Sequence, residues 1–138
     1  MTAFRDFDQT LATLNAQTGG QYVYYTATTL PNGLEPFAVI NEEPAHTALI
    51  SVDDAKKHHI SYEGETFTRI ILDIEDALNT PGLTATIGQT LASLSIPCNI
   101  VTGYYHAHVF VPTSKAKDAI DMLNDLARQA RGWMKSEV

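Results

Sequence analysis

The spacing of apolar and polar positions predicts a helix near the start of the chain. Phe7, Leu11 and Leu14 are spaced at i, i+4 and i+7, which places them on one stripe of a helix over about Asp6–Ala16. Gly19-Gly20 follows the stripe, and glycine readily adopts the positive φ that ends many helices. The first predicted element is therefore a helix that ends at this glycine pair.

Short apolar runs predict three strands in the rest of the first half. Gln21–Thr26 is rich in tyrosine, and Phe37–Ile40 and Thr47–Ser51 are apolar. Ser51–Asp54 has a hydroxyl followed three residues later by a carboxylate, which is the pattern of a capping box. A short helix is therefore expected to follow, as far as about His59.

The second half has a clearer pattern, which predicts the order β-α-β-β-α. Apolar runs with β-branched residues give its strands, and apolar residues at helical spacing give its two helices. The predicted strands are Phe67–Ile74, Cys98–Thr102 and Tyr105–Val111, and the helical stripes are Leu83, Ile87, Leu91 and Leu94, and Ala116, Ile120, Leu123 and Ala127.

The order of these elements predicts an α+β fold with two ferredoxin-like subdomains. Each half is too small to bury a good core alone, so the halves are expected to pack side by side, with antiparallel sheets and helices on one face. The polar segment Ser61–Glu65 marks the boundary. The predicted units are residues 1–64 and 65–138.

Composition and charge exclude several classes of protein. The chain has 138 residues, a net charge of −7 and nine basic residues, so a nucleic-acid partner is not expected. Its start lacks the apolar run of a signal peptide, and its apolar segments are too short to span a membrane. The single cysteine, Cys98, fits a reducing compartment. These features predict a cytoplasmic protein.

The strand at residues 105–111 carries unusual residues on one face. Its alternate residues Ala107, Val109 and Val111 are expected to face the helices. The opposite face then carries histidines and aromatic rings, which predicts that the other half of the chain, a second subunit or a ligand covers it. The residues of that face are Tyr104, His106, His108 and Phe110.

The sequence favours no catalytic or metal site. His106 and His108 share a face, but no second ligand pair at a standard spacing accompanies them. Cys98 lies in an apolar strand, where a lone cysteine is usually an inert packing residue. The acids at the end of the 67–74 strand are expected to be solvated. No motif for a nucleotide or another cofactor is present, so the chain is not expected to be an enzyme or to hold a cofactor.

The turn Asn79–Thr84 is a better candidate for a binding site. It precedes a predicted helix, whose first N–H groups and macrodipole favour a carboxylate. The alternative is simple capping of the helix by Thr80 or Asn79.

The sequence from Gly82 to Pro112 resembles a family of small bacterial tandem ACT-domain proteins. The resemblance rests on GLTA at residues 82–85, LA at residues 91–92 and IPCNIVTGYYHAHVFVP at residues 96–112. It covers residues 67–130 well and the first half loosely. It implies two ACT-type units without catalysis of their own, which bind an amino acid or a similar zwitterion at an interface between subdomains or subunits.

The resemblance also implies which residues hold the ligand. In ACT regulators the loop before the first helix and the backbone of a neighbouring strand contact the effector, and a homodimer is expected. The alternative function is a protein–protein interaction module that has no small-molecule ligand. The implied ligand-binding residues are Asn79, Thr80, Gly82, Leu83, Thr84, Cys98, Asn99 and Ile100.

Overall fold

The computed structural model describes residues 3–136 and confirms the α+β class. Residues 1–2 and 137–138 of the two predicted units lie outside the described part. The helices are α1 (Ala3–Ala12), α2 (Val52–Lys57), α3 (Leu83–Ala92) and α4 (Ala116–Ser136). The strands are β1 (Asn15–Ala27), β2 (Ala38–Asn41), β3 (His46–Ser51), β4 (Phe67–Asp73), β5 (Asn99–Thr102) and β6 (Ala107–Pro112).

The strands form one antiparallel sheet of six strands in the order β2-β3-β1-β4-β6-β5. The long strand β1 joins its two sides, because its first part pairs with β4 and its second part pairs with β3. The sheet is therefore continuous across the predicted boundary between residues 64 and 65.

The boundary between α1 and β1 differs from the prediction. The helix ends at Ala12, and Ala16, which was expected to be helical, belongs to the strand. The backbone N–H of Ala16 donates to Oδ1 of Asn124 on α4 at 2.8 Å, so a residue 108 positions away holds the start of the strand. The predicted helix end was wrong because this distant contact favours an extended backbone.

The glycine pair interrupts the strand instead of ending the helix. The register between β1 and β4 shifts between Thr18 and Gln21, and Gly20 has a φ of 97°. A Cβ atom on Gly19 would lie 2.7 Å from Cδ1 of Ile71 on β4. Glycine is therefore favoured at position 20 for its conformation, and a side chain at position 19 would require Ile71 to shift.

The main core lies between the sheet and helices α1, α3 and α4. Ala107, Val109 and Val111 of β6 face this core, as the alternation of the strand predicted. On the neighbouring strand β4, Ile70 and Leu72 point the same way. The other buried members are Leu11, Leu14, Ala16, Ile74, Leu83, Ile87, Leu91, Ile96, Ala116, Ala119, Leu123, Ala127 and Ala130.

A smaller core lies under α2. Val23 of β1 is the cross-strand partner of Ile50 on β3, and both contact Ala55 of α2 in one buried cluster. The hydroxyl of Ser51 accepts a hydrogen bond from the N–H of Asp54 at 3.0 Å, which confirms the predicted cap. Since Tyr22, the neighbour of Val23, points to the opposite side of the sheet, α2 lies on the same face as the other helices.

Within residues 3–136, no helix combines the length and the apolar character needed to cross a membrane.

Candidate functional site

An open pocket lies between α1 and the loop that joins β4 to α3. Its volume is about 600 Å³. Its walls come from both sides of the predicted boundary between residues 64 and 65. The lining residues are Phe7, Gln9, Thr10, Glu75, Asp76, Asn79, Thr80 and Pro81.

Helix α3 begins at Leu83, two residues after Pro81, the last lining residue of this pocket. Gly82 is its N-cap, with a φ of 85°, and no side chain caps the helix. The hydroxyl of Thr80 donates instead to the carbonyl oxygen of Asp76 at 2.7 Å. Capping by the side chain of Thr80 or Asn79 is therefore wrong. The N–H of Leu83 donates to the carbonyl oxygen of Thr80 at 3.4 Å, and the first N–H groups of the helix receive no side-chain partner.

The pocket has acidic walls. Glu75 and Asp76 are exposed and line it, and the backbone N–H of Glu75 is held by the hydroxyl of Thr13 at 3.1 Å. Two carboxylates beside an uncapped helix start are complementary to a molecule that carries both an ammonium group and a carboxylate.

The eight predicted ligand residues lie in separate regions of the structure. Asn79 and Thr80 line the pocket. Gly82 and Thr84 are exposed at the start of α3, where a Cβ on Gly82 would lie 3.9 Å from the ring of Phe7. Leu83 is buried in the main core.

The remaining three predicted residues belong to the opposite edge of the molecule. Cys98 and Ile100 pack against the main core beside β5. The side chain of Asn99 donates to the hydroxyl of Tyr24 at 2.9 Å. Burial raises the pKa of the Cys98 thiol, which disfavours a nucleophilic thiolate. The structure does not bring these residues into the pocket.

A second region whose side chains could bind a ligand is the sheet face opposite the helices, which we call the aromatic face. Tyr24 on β1 and Asn99 on β5 are separated by two strands in the sheet order, so their hydrogen bond requires the sheet to curl towards this face. The face is defined by Tyr22, Tyr24, Phe37, Phe67 and Phe110, together with Arg69 and His108.

Arg69 lies at the centre of the aromatic face. Its Nε–H donates to Nδ1 of His108 at 3.1 Å, and one terminal nitrogen donates to the hydroxyl of Tyr22 at 3.0 Å. The guanidinium carbon lies 4.9 Å from the centre of the Phe37 ring, within cation–π distance. These contacts fix the position of a partly buried cation.

The hydrogen bond from Arg69 defines the protonation of His108. Since Nδ1 accepts, the neutral imidazole carries its proton on Nε2. Burial, and then the charges of Arg69 and His106, lower the pKa of His108. The imidazole therefore orients the guanidinium without neutralising it or adding charge.

Residues from the first half of the chain provide the cover that was predicted for the aromatic face. Phe110 is only 1% exposed, because the rings of Tyr22 and Phe37 pack on it with centroids 5.3 and 5.2 Å away. Tyr104 was predicted to lie on the same face, but the strand begins at Ala107 and Tyr104 is 90% exposed in the preceding turn.

The described residues contain no group of three or more His, Cys, Asp or Glu side chains that could hold a metal ion.

Sequence reasoning did not single out Arg69, Tyr22 or Phe37. A signal was present for the first of these, because Arg69 is the one basic residue in a strand that continues with the apolar residues Ile70, Ile71 and Leu72. The alternation that predicts Ile70 in the core places Arg69 on the opposite face. Phe37 could not be assigned to this face, because it directly precedes β2 and its N–H donates to the carbonyl oxygen of Leu49 on β3 at 2.8 Å, and neither that contact nor its packing on β6 is encoded in the local pattern.

No family model and no curated protein matches this chain. Its fold is similar to the crystal structure of a protein of unknown function from Vibrio cholerae, described as a possible transport protein. The TM-score is 0.78 and the sequence identity is 27%, and the match covers 91% of this chain and 99% of that chain. It is also similar to a protein from Agrobacterium tumefaciens, with a TM-score of 0.64 and 11% identity over 83% of this chain and 89% of that chain. The second similarity concerns the fold alone.

Proposed function

We propose that the chain is a cytoplasmic, non-catalytic regulatory module of ACT type that binds an amino acid or a similar small zwitterion in the pocket between α1 and the β4–α3 loop. The observation that carries this proposal is the combination of Glu75 and Asp76 on the pocket wall with the uncapped start of α3 beside it. The carboxylates suit an ammonium group, and the helix N–H groups suit a carboxylate.

The order of the elements supports the ACT part of the proposal. From β4 onwards the chain runs β4-α3-β5-β6-α4, and β1 lies beside β4 as a fourth strand. On the other side, β1, β2, β3 and α2 are followed by β4, which lies beside β1. Two ferredoxin-like units that share their central strands, the first without a helix between β1 and β2, would have this arrangement. The pocket would then lie at their interface, because residues of both units line it.

The proposal is tested by thermal denaturation with each of the twenty amino acids at millimolar concentration. A ligand at ten times its Kd stabilises the native state by about 1.4 kcal/mol, which raises the melting temperature measurably. The double variant Glu75→Gln/Asp76→Asn should lose this rise. Glu63→Gln, an exposed residue outside the pocket lining, is the control and should keep it. The absence of a rise with all twenty amino acids would contradict the proposal.

A second candidate function is a protein–protein interaction module, including homodimer formation. It is favoured by Tyr104 and Tyr105, which are 90% and 86% exposed in the turn between β5 and β6. Exposed aromatic pairs are typical of contact surfaces. Phe110, which the sequence suggested for this role, is buried and is not available to a partner. Analytical ultracentrifugation of the wild type and of Tyr104→Ser/Tyr105→Ser tests this function, because a dimer that persists in the variant would exclude these side chains as its basis.

A further inference from the structure

We propose that Arg69 is the anchor of a second binding site, on the aromatic face, for the carboxylate of a small molecule that carries a planar apolar group. This site is separate from the acidic pocket, because Arg69 faces away from the helices whereas the pocket lies between α1 and the β4–α3 loop. The proposal does not depend on the ligand suggested for that pocket.

The charge of Arg69 has no counter-charge. Among residues 7–133, whose side chains the structure describes, no carboxylate lies within the 4.0 Å ion-pair distance of its guanidinium. Its two hydrogen-bond partners, Nδ1 of His108 and the hydroxyl of Tyr22, are neutral acceptors. A partly buried cation in this setting is stabilised by an anion from outside the chain.

The guanidinium also has unused hydrogen-bonding capacity. A guanidinium has five N–H donors, and the bonds to His108 and Tyr22 use two of them. The described residues provide no acceptor for the other three. Arginine binds carboxylates through pairs of such donors in a fixed plane, so the two existing bonds orient the remaining donors before a ligand arrives.

The surroundings favour a single negative charge. Arg69 is the one Arg or Lys residue on the six strands described, since the others lie on the helices or on the turn before α4. A phosphate dianion would leave a second charge without a cation, in a chain whose net charge is −7. A carboxylate matches the one permanently charged cation on the strands.

The neighbouring rings favour an apolar group on the ligand. Phe37 lies under the guanidinium, and the ring of Tyr24, which is 37% exposed, packs against Phe67. An aromatic carboxylate can pair its oxygens with Arg69 while its ring covers these aromatic side chains. The class of ligand is therefore an aryl or similarly flat monocarboxylate.

The test is a titration with benzoate, followed by calorimetry and by the NMR signal of the Arg69 Nε–H group. In the wild type, benzoate should shift this signal in a saturable manner and bind more tightly than inorganic phosphate. Arg69→Gln should weaken benzoate binding by about tenfold or more, the usual effect of losing a charge-assisted hydrogen bond. Arg128→Gln removes the same charge from an exposed residue of α4 and should leave binding unchanged.

Several results would overturn the proposal. These are an unshifted Nε–H signal in the wild type, benzoate affinity that is equal in Arg69→Gln and wild type, or phosphate binding as tight as benzoate. The NMR titration uses the wild type, so it decides the question even if Arg69→Gln fails to fold. The variant Glu75→Gln/Asp76→Asn should bind benzoate normally, which separates a failure of this site from a failure of the pocket.

Discussion

The two faces of strand β6 are both buried, but by different means. Val109 is 0% exposed and packs in the core formed with the helices. Its neighbour Phe110 is 1% exposed and is covered by Tyr22 and Phe37, which lie far away in the sequence. The burial of β6 under the helices was predictable from the periodicity of the second half, although α1 of the first half also contributes Leu11 and Leu14 to this core. The aromatic face exists only when the two halves are together, and it combines packed rings with an uncompensated cation.

The largest expected effect tests whether the aromatic face is a true core. Phe110→Ala should lower the free energy of unfolding by about 3–5 kcal/mol, because it removes a fully buried ring. Val109→Ala, on the other face, should cost about 2 kcal/mol. Urea denaturation of both variants checks the comparison. A loss below about 0.5 kcal/mol for Phe110→Ala, typical of a surface position, would show that the aromatic face is not a core.

The next effect concerns the close approach of β1 and β4 on the aromatic face. Gly19→Ala should cost about 1–2 kcal/mol, because the new Cβ would lie 2.7 Å from Ile71, whose side chain must move. Gly88→Ala is the matched control within α3, where an added Cβ meets nothing within 4 Å. It should instead raise the unfolding free energy by about 0.5–1 kcal/mol. Opposite signs in thermal denaturation are the expected result.

A smaller effect tests the hydrogen bonds around Arg69. Tyr22→Phe removes the acceptor of one guanidinium bond but keeps the ring that packs on Phe110. We expect a loss of about 1 kcal/mol, since the site is partly exposed and the freed donor reaches water. A loss similar to that of Phe110→Ala would mean that the polar contacts, and not the rings, hold this face together. Equilibrium unfolding in urea measures it.

The smallest effect is a dependence on pH. Folding lowers the pKa of His108 from its ordinary value of 6.5, mainly through burial and also through the charges of Arg69 and His106. The unfolded chain therefore binds a proton more readily, so this contribution to stability is fully present above pH 6.5 and is lost as the pH falls through the lowered pKa of the folded protein.

The variant His108→Gln isolates this contribution. Glutamine retains an oxygen that can accept from Arg69 but does not titrate. The wild type should therefore lose unfolding free energy relative to the variant as the pH is lowered below 6.5. A difference that is constant with pH would contradict the assigned role of His108.

Local patterns predicted most of the helix-covered face. The stripe Leu83, Ile87 and Leu91 is buried as expected, whereas Leu94 is 37% exposed, because α3 already ends at Ala92. Helical spacing reports which residues share a side, but it does not show where the helix stops. The cap by Ser51 was predictable because its donor and acceptor are only three residues apart, whereas the carboxylate of Asp54 accepts from the N–H of Glu35 and does not complete the predicted capping box.

The site was less predictable than the fold. Asn79 and Thr80 were found because a turn before a helix has a recognisable sequence. Their association with α1 depends on a contact between distant segments, which periodicity does not encode. The same reason explains why Arg69 was missed, since the absence of a carboxylate partner is a property of the folded chain.

The pairing of β1 with β4 and of Ala16 with Asn124 has a consequence for the order of folding. Ala16, at the start of β1, forms its hydrogen bond with Asn124 of α4, which lies 108 positions later in the chain. Contacts of this sequence separation slow folding, because a large loop must close before they form. On the ribosome, the start of β1 is therefore expected to lack its contact with Asn124 of α4 until most of the chain has been made, although its partner strands β3 and β4 are complete by residue 73. Pulse-labelling hydrogen exchange would detect this as late protection of the Ala16 amide compared with the amides of α3.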